Sequence, residues 1–332
     1  MDDKFLSILD RCLSRRPTPI EDCIYLLDLP EDSEESGRLI DATRDYVMES
    51  TDGIAEIAVQ IGVVVGPCYA DCGFCNFACS TTRTQEYEVG RNELSDYLKD
   101  VTSDGLISEV SLMTINNFDF DTLIDRVELA RSLIPEGVRL CINTGDLDPS
   151  EAKELKTAGA DYAYHAIRLG EGIDNALEPY FREMTIRNLI DAGISVATGV
   201  EPIGPEHSSK DLAHAFYHAM ELGCSCCSAS AREPVPGTRM YSMPAISQRR
   251  LEQIRSAFIM SSTSRKETEL GFYGGFYGGM NRAFCEYAGS PKDTDDLSEK
   301  NMGHTVQWAK EILKDQGYTK IRAGYGSLRD LD

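Results

Sequence analysis

Apolar residues alternate along most of this chain between short continuous runs and longer stretches with helical spacing. The short runs predict seven strands, at Ile57–Val65, Ile107–Thr114, Val138–Asn143, Tyr162–Arg168, Ser195–Val200, Cys224–Ala229 and about Glu267–Phe272. The stretches between them predict helices at about 92–103, 119–134, 149–158, 174–192, 208–222 and 246–260. Several strands follow an AGA, AGI or LGC step, where glycine suits the end of a helix.

This repetition predicts an α/β protein whose parallel strands are joined by crossover helices. We expect a (β/α)8 TIM-type barrel, full or nearly full, over residues 56–300. The pattern predicts seven strands before the glycine-rich run GFYGGFYGG, where the alternation of strands and helices can no longer be followed. A six-stranded open barrel is the alternative architecture.

The two ends of the chain have helical patterns that do not belong to the repeat. Residues 1–55 predict an N-terminal helical extension. Thr18 is predicted to cap one helix, with Pro19 in its first turn, and Ser33 lies at the start of another. We expect this layer to pack on the barrel and not to form an independent domain. Residues 301–332 predict a helix around Thr305–Gln316, followed by a segment, KIRAGYGSL, that would form a barrel cap or a lid.

Composition narrows the classes of function. The chain has 332 residues and a net charge of −22, so its surface should repel nucleic acids and anionic membranes. No apolar window approaches the length of a membrane span, and the acidic N-terminus does not resemble a secretory signal. We therefore expect a cytoplasmic, reducing location, where eleven cysteines indicate metal or redox chemistry more than disulfides.

Four of these cysteines lie in one loop, GPCYADCGFCNFACS. Cys68, Cys72 and Cys75 have the spacing C-x3-C-x2-C, with Phe74 before the last. Three thiolates this close can hold three irons of a [4Fe–4S] cluster and leave the fourth iron open. A zinc site that uses Cys79 as a fourth ligand is the main alternative, followed by free thiols. The apolar run IAVQIGVVV leads into the loop, which places it at a strand's carboxyl end, where barrels carry their chemistry.

The cysteine motif resembles that of the radical S-adenosylmethionine (SAM) superfamily. From residue 50 to about 290, the order of elements is similar to the biotin synthase-like branch, which includes biotin synthase, an [FeFe]-hydrogenase maturase and methylornithine synthase. The segments CINTGDLDPSEAKELKTAGADYAYH, TIRNLIDAGISVATGVEPIGPEHSSKD and FCEYAGS look like parts of that barrel.

The resemblance implies a [4Fe–4S] cluster whose open iron binds SAM. One electron from a donor such as ferredoxin or flavodoxin would split SAM into methionine and a 5′-deoxyadenosyl radical. That radical would abstract hydrogen from a small substrate, which we expect to be anionic, in the biosynthesis of a cofactor or metabolite. The residue that acts directly on the substrate is unknown at this stage.

The resemblance also suggests residues that contact SAM. Arg168 and Glu171 match, with an offset of one residue, an arginine and a glutamate that bind SAM in the hydrogenase maturases. Glu201 ends the fifth strand, and Arg232 follows the sixth, where a guanidinium can pair with a carboxylate of SAM or substrate. The structural alternative for each is an ion pair at a strand exit.

The second strand departs from the family pattern at its end. The usual glycine-rich element is missing, and the sequence reads SLMTINN. Thr114 and Asn116 are the residues that would supply hydrogen bonds to SAM in its place.

Biotin synthase holds a second iron–sulfur cluster with three barrel cysteines and an arginine. In this chain only Cys141 falls on one of those positions, while the other two fall near Leu112 or Met113 and on Ala197. Since these side chains cannot replace thiolate ligands, a biotin-type second cluster is predicted to be absent.

Three more cysteines keep two alternative functions open: Cys224, Cys226 and Cys227. If Cys141 with Cys224, Cys226 or Cys227 held a sacrificial second cluster, the chain would insert sulfur in the manner of lipoyl or biotin synthase. If no SAM were cleaved, it would be a non-enzymatic carrier of a cluster or metal. Buried cysteines acting as small apolar residues are the structural alternative.

Overall fold

A computed structural model describes residues 2–265, 281–288 and 304–331. The seventh predicted strand, Glu267–Phe272, and the aromatic residues Tyr273 and Tyr277 lie outside these ranges. Among the described residues, no helix is both long and apolar enough to cross a membrane.

The core of the molecule is a parallel sheet that curves as part of a barrel. Its strands are β1 (Ile54–Val65), β3 (Glu109–Thr114), β4 (Arg139–Asn143), β5 (Tyr162–Tyr164), β6 (Ser195–Ile203), β7 (Cys226–Ala231) and β8 (Arg282–Ala288). Strand β1 pairs in parallel with β3, each strand from β3 to β6 pairs in parallel with the next, and β8 pairs in parallel with the other edge of β1. A short strand β2 (Tyr87–Glu88) pairs antiparallel with the end of β1. The predicted (β/α) barrel-type fold is confirmed.

Ten helices are described: α1 (Asp3–Leu13), α2 (Ile20–Asp28), α3 (Glu34–Ser50), α4 (Arg91–Val101), α5 (Phe120–Leu133), α6 (Pro149–Ala158), α7 (Pro179–Asp191), α8 (Ser209–Glu221), α9 (Gln248–Ser262) and α10 (Val306–Asp315). The largest difference from the predicted bounds is at α7, which begins five residues late. Pro179 occupies the first turn of α7 with Glu178 as its N-cap, so residues 165–178 form a loop above β5, in which Gly170 and Gly172 have φ values of 78° and 77°.

The side chains of the strands alternate between two environments. Ile57, Val59 and Ile61 of β1 point outward and pack with α4 to α7 in the main apolar core. The positions between them point inward, where Gln60, Ser111 and other polar or small residues replace the branched apolar residues that fill an ordinary barrel. The barrel interior is therefore a pair of cavities and not a packed core.

The N-terminal helices pack on one flank of the barrel. Phe5, Leu26 and Leu39 are buried with residues of α8 and α9, such as Phe216 and Phe258, whose rings stack 4.2 Å apart. Helix α2 begins at Ile20 with Pro19 as its N-cap and without a side-chain cap. The predicted cap at Thr18 is therefore wrong, and this side chain lies against the Cys12 sulfur at 3.5 Å instead.

The C-terminal segment closes the opposite end of the barrel from the cysteine loop. Strand β9 (Lys320–Arg322) pairs with the first residues of β1 and forms a hairpin with β10 (Leu328–Asp330), with a short 3-10 turn between them at Gly324–Gly326. Of the two predicted roles for this segment, a cap at the amino-terminal end of the strands is the one that this pairing supports.

A network of buried ion pairs lies at that same end. Glu56 accepts hydrogen bonds from Arg139 at 2.6 Å and from Nε of Arg282 at 2.8 Å, and Glu109 accepts from Arg139 at 3.2 Å. Arg282 is only 2% exposed. Burial alone would raise the pKa of Glu56, but the two guanidinium groups outweigh it and lower the pKa to about 2.

We predict that Glu56→Gln lowers the free energy of unfolding by about 3 kcal/mol at neutral pH, because it leaves buried arginine charge uncompensated. A carboxyl with a lowered pKa stabilises the fold above its unfolded pKa, and this contribution disappears as the pH falls toward the folded value. The difference between wild type and variant should therefore shrink from about pH 6 to about pH 3. Urea unfolding measures it, with the exposed Glu154→Gln as control. A difference that does not depend on pH would contradict this account.

Candidate active site

The cysteine loop, residues 66–80, leaves the carboxyl end of β1 and turns back on itself. Its two arms are joined by the backbone amide of Cys68, which donates to Phe77 at 2.7 Å, and that of Cys79, which donates to Cys68 at 3.1 Å. The side chain of Asn117, beyond β3, accepts from the Tyr69 amide at 2.9 Å and donates to the Pro67 carbonyl at 3.2 Å. The loop is thus fixed to the neighbouring strand exit.

Three cysteine side chains share one face of the loop and pack with apolar residues. Cys68, Cys72 and Cys75 cluster with Ala70, Phe74 and Leu177. Burial raises the pKa of the Cys72 thiol to about 12 and also raises the pKa of Cys75. Binding of a metal centre would therefore release protons from these thiols.

Two of the sulfur atoms accept backbone hydrogen bonds. The amide of Asn116 donates to the Cys68 sulfur, and the amide of Phe77 donates to the Cys75 sulfur, both at 3.4 Å. Hydrogen bonds of this kind to thiolate sulfurs are one of the means by which proteins set the reduction potential of an iron–sulfur cluster.

The three cysteines line an upper cavity of about 310 Å³ at the carboxyl ends of the strands. Its volume lies within the usual range for small-molecule sites. Apolar residues, Phe74, Phe77 and Leu177, form one part of the wall, and polar groups from β3, β4 and the loop after β5 form another. A cluster bound here would have an adjoining space that a second ligand can enter.

Cys79 lies apart from the other three cysteines. It is exposed and is not part of the cavity wall, and its sulfur contacts Asp71 Oδ1 at 3.6 Å. Within the described ranges, no three His, Cys, Asp or Glu side chains converge as ligands of a single ion. A cube does not require such convergence, because each of its cysteines binds a different iron. The geometry fits a three-cysteine cluster better than a four-ligand zinc site.

Arg168 and Glu201, two residues proposed from the sequence, form an ion pair between the strand exits of β5 and β6. Arg168 Nε lies 3.4 Å from Glu201 Oε1, and Arg168 belongs to the wall of the upper cavity. Burial would lower the pKa of Arg168, but Glu201 and other neighbours outweigh it, and the pKa is raised. Tyr164, which is buried beside Glu201, has a pKa well above its ordinary value because of burial and this carboxylate.

A second arginine in the same wall was missed from the sequence. Arg182, on α7, is 4% exposed, and it donates to Asp146 at 2.9 Å and to the Ala166 carbonyl at 3.2 Å. Burial and the nearby Arg168 lower its pKa. Arg168 and Arg182 therefore bring two guanidinium groups to one corner of the cavity, each already paired with a carboxylate, Glu201 and Asp146 respectively. In the sequence, Arg182 is one charged residue among apolar residues of a predicted helix. That pattern does not distinguish an arginine in a cavity wall from one in a surface ion pair.

His165 lies next to Asp146, the carboxylate that pairs with Arg182. It is 1% exposed, and its Nε2 lies 3.3 Å from Asp146 Oδ1 without the direction of a hydrogen bond. Burial and the charge of Arg182 lower its pKa to about 3, so the ring stays neutral at physiological pH.

Thr114 and Asn116 both reach the wall of the upper cavity, as proposed from the sequence. The Thr114 hydroxyl donates to the Asn143 carbonyl at 2.9 Å, and the Asn116 amide is the donor to Cys68. The sequence did not reveal Thr144, whose buried hydroxyl also lies in this wall and makes no hydrogen bond within the described part of the chain. Such a group fits contact with a ligand.

Glu171 folds back on its own loop instead of pointing into the cavity. Its carboxylate accepts hydrogen bonds from the Arg168 amide and, at 3.2 Å, from Asn175. It is 8% exposed and is not part of the wall of the upper cavity. Contact between Glu171 and SAM stays a prediction, and the visible role of this residue is to shape the loop that carries Arg168.

A lower cavity of about 600 Å³ lies deeper in the barrel. It shares wall residues with the upper cavity: Gln60, Met113, Tyr164 and Glu286. Arg232, proposed from the sequence, belongs only to the lower cavity, where its guanidinium pairs with Glu206 and donates to the Pro244 carbonyl at 2.9 Å. It is therefore placed for contact with a molecule in the lower cavity.

Four cysteines of the strands divide between the inside and the outside of the barrel: Cys141, Cys224, Cys226 and Cys227. Cys141 and Cys226 are buried in one interior cluster with Ala197, whereas Cys224 and Cys227 pack in the two outer apolar cores. A strand that began at Cys224, as predicted, would place Cys224 and Cys226 on the same face by two-residue alternation, and this expectation is wrong because β7 begins only at Cys226. At most two of these four thiols face the interior.

No protein-family model matches the chain. In sequence it is similar to biotin synthases: it is 28% identical over 202 residues to that of Desulforudis audaxviator, and 22% identical over 251 residues to that of Clostridioides difficile. The first match covers 58% of this chain and 60% of its relative, and the second covers 72% and 76%. A third, to the Bradyrhizobium enzyme, covers only 45% of that relative.

In structure the chain is similar to two solved proteins. Methylornithine synthase (PylB) matches with a TM-score of 0.77 at 16% identity, over 93% of this chain and 96% of that protein. HydG, a maturase of the [FeFe]-hydrogenase, matches with a TM-score of 0.77 at 14% identity, over 97% of this chain and 79% of that protein. At these identities the likeness establishes the fold.

The neutral state of His165 gives a prediction about stability. Its folded pKa is below the unfolded value of about 6.5, so its contribution is present above that pH and is lost as the pH falls. The gap in unfolding free energy between wild type and His165→Gln should narrow by about 1 kcal/mol from about pH 7.5 to about pH 5.5. Urea titration followed by Trp308 fluorescence measures the gap, with His214→Gln on α8 as control. An unchanged gap would mean that His165 is charged in the fold.

Proposed function

We propose that this chain belongs to the biotin synthase-like branch of the radical SAM superfamily and that it is an enzyme that cleaves SAM reductively at the upper cavity. The observation that carries the proposal is the wall of that cavity, where three cysteine sulfurs lie together and the fourth cysteine of the loop lies elsewhere. When bound, a [4Fe–4S] cluster would supply the electron that splits the sulfonium of SAM, giving a 5′-deoxyadenosyl radical for hydrogen abstraction.

The chain's own residues would hold the two cofactors as follows. Cys68, Cys72 and Cys75 would be the cluster ligands, and the amides of Asn116 and Phe77 would adjust the electron density on two of the sulfurs. The apolar side chains beside them, Phe74 and Leu177, would exclude water from the cluster.

SAM would be held by the charged and polar part of the same wall. Arg168 and Arg182 would present guanidinium donors to its carboxylate, and Thr114, Asn116 and Thr144 supply hydrogen-bonding groups. Each arginine already pairs with a carboxylate, Arg168 with Glu201 at 3.4 Å and Arg182 with Asp146 at 2.9 Å, and we propose that both contribute their remaining donors to the carboxylate of SAM. Glu201 would then orient Arg168, and its direct contact with SAM stays a prediction.

The substrate would enter the lower cavity, because the two cavities share Tyr164, Met113, Gln60 and Glu286 in their walls. A small molecule there would lie directly below SAM. The lower wall contains both carboxylates and arginines, Arg232 among them, which favours a polar substrate. The anionic character expected from the sequence, and ferredoxin or flavodoxin as the electron donor, remain proposals.

The chain's departures from biotin synthase argue against sulfur insertion as the main activity. Met113 and Ala197 occupy interior positions where a second cluster would need thiolates, and Cys224 and Cys227 face outward. We therefore propose a hydrogen abstraction that begins a rearrangement or assembly step in the biosynthesis of a cofactor or metabolite.

The ligand set is tested by single Cys→Ala variants. After anaerobic reconstitution, the wild type should hold about four irons per chain and form 5′-deoxyadenosine with SAM and dithionite. Variants at Cys68, Cys72 and Cys75 should lose both properties, because each removes one iron ligand. Cys79→Ala is the matched control from the same loop and should retain both.

Three results would contradict the proposal in different ways. Loss of iron in Cys79→Ala would indicate a fourth protein ligand. About eight irons per chain, reduced by Cys141→Ala or Cys226→Ala, would favour the sulfur-insertion alternative. A stable cluster without any 5′-deoxyadenosine would favour a carrier.

The assignment of Arg182 is tested by SAM binding to the cluster-loaded protein. Arg182→Gln should raise the dissociation constant for SAM about 10- to 100-fold, because it removes a charged hydrogen bond to the carboxylate. The dissociation constant of Arg182→Lys should lie between those of the wild type and Arg182→Gln, since an ammonium keeps the charge but loses the two-pronged geometry of the guanidinium. Isothermal titration calorimetry measures the constants, with Arg187→Gln on the outer face of α7 as control. Equal affinities for Arg182→Gln and the control would overturn the assignment.

A further inference from the structure

The segment that follows β7, residues 232–247, crosses the barrel mouth and reaches the cysteine loop. Arg239 of this segment donates from Nη1 to Asp71 Oδ2 at 3.0 Å. From Nη2 it donates to the Asp71 carbonyl at 3.1 Å and to the Asp174 carbonyl at 2.7 Å. One guanidinium therefore joins three parts of the mouth: its own segment, the cysteine loop and the loop between β5 and α7.

These contacts surround Cys72, the middle ligand of the proposed cluster. Asp71, directly before it, has a φ of 47°, a conformation that residues other than glycine rarely adopt. Gly73, directly after it, donates its amide to the Asp174 carbonyl at 2.8 Å and accepts from the Met240 amide at 2.9 Å. The backbone on both sides of Cys72 is thus held by residues outside the cysteine loop.

Gly73 also allows the crossing segment to come this close. A β-carbon at this position would lie 3.3 Å from the Arg239 guanidinium and 3.3 Å from the Met240 side chain. Contacts of this length are tighter than nine in ten real β-carbon contacts, so a side chain at residue 73 would require Arg239 and Met240 to shift by a few tenths of an ångström.

We propose that Arg239 is a positioning residue for the cluster, acting through Asp71 and Asp174 to hold Cys72 in place. The inference rests on the proposed function, since it assumes that Cys72 is a cluster ligand. The guanidinium does not touch the sulfurs; it fixes the backbone that presents one of them.

An ordinary surface ion pair is the alternative, and such pairs contribute little to stability. Arg239 differs from that case because two of its three acceptors are backbone carbonyls on different loops. A fork of fixed geometry restrains two carbonyls at once, which a single charge on a flexible stem cannot do. The effect should therefore appear in the order of the loop and the retention of the cluster more than in global stability.

The experiment compares Arg239→Gln with Arg187→Gln. Both arginines have side chains that are 50% exposed and paired with one carboxylate, but Arg187 lies on α7 and, among the residues that the structure describes, bonds only Glu183. Reconstituted proteins are exposed anaerobically to an iron chelator, and the loss of cluster absorbance is followed. Hydrogen exchange of the amides in residues 68–80 is measured on the same variants without iron.

Arg239→Gln should lose its cluster about five- to tenfold faster than Arg187→Gln, and its cysteine loop should exchange correspondingly faster. The electron paramagnetic resonance signal of its reduced cluster should change in shape, because Cys72 is presented differently. Arg239→Lys should fall between the two, since it keeps the pairing with Asp71 but not both carbonyl contacts.

If the wild type holds a cluster and Arg239→Gln matches Arg187→Gln in release rate, exchange and spectrum, the positioning role is overturned while the proposed function stands. If the wild type takes up no iron, the proposed function fails and the positioning role fails with it. A fall in the thermal midpoint of Arg239→Gln without any loop-specific change would also overturn the role, because it would show a purely structural contribution.

Discussion

The count of sulfurs in the upper cavity is the constraint on which this molecule depends. A cube that is ligated by three cysteines keeps one iron available to another ligand, whereas four protein ligands would complete it. The fold enforces the lower number: Cys68, Cys72 and Cys75 share an apolar face, and Cys79 lies exposed against Asp71. The guanidinium groups of Arg168 and Arg182 lie in the wall of the same cavity, where they would face a ligand on the iron that three cysteines would leave open.

The second constraint is the polarity of the barrel interior. Inward positions of the strands carry polar or small side chains such as Gln60, Ser111 and Ser228, and two connected cavities result. The apolar residues that stabilise the domain lie on the outer faces of the same strands, against the helices. At the floor, Glu56 and Glu109 compensate the charges of Arg139 and Arg282, so the interior ends in a network of ion pairs.

Much of this architecture could be predicted from local pattern, and the parts that could not have identifiable reasons. Apolar runs located β1 and the strands from β3 to β7, because buried parallel strands need continuous apolar residues. Strand β8 was absent from the predicted strands, since its sequence RAFCEYA mixes a buried arginine and glutamate with apolar residues. The cysteine ligands could be proposed from spacing within one loop. Arg182 and Thr144 could not, because only the folded chain brings α7 and the exit of β4 to the same cavity wall.

The segment after β7, residues 232–247, contacts both the lower cavity and the cysteine loop. Its ends, including Arg232 and Ile246, border the lower cavity, and its middle, Arg239 and Met240, braces the backbone around Cys72. A mutation in this stretch that reshapes the lower cavity would also disturb the backbone on either side of Cys72. Divergence to new chemistry is therefore easier through the other wall residues of the lower cavity. Descendants of this chain should vary at those residues before they vary within residues 232–247.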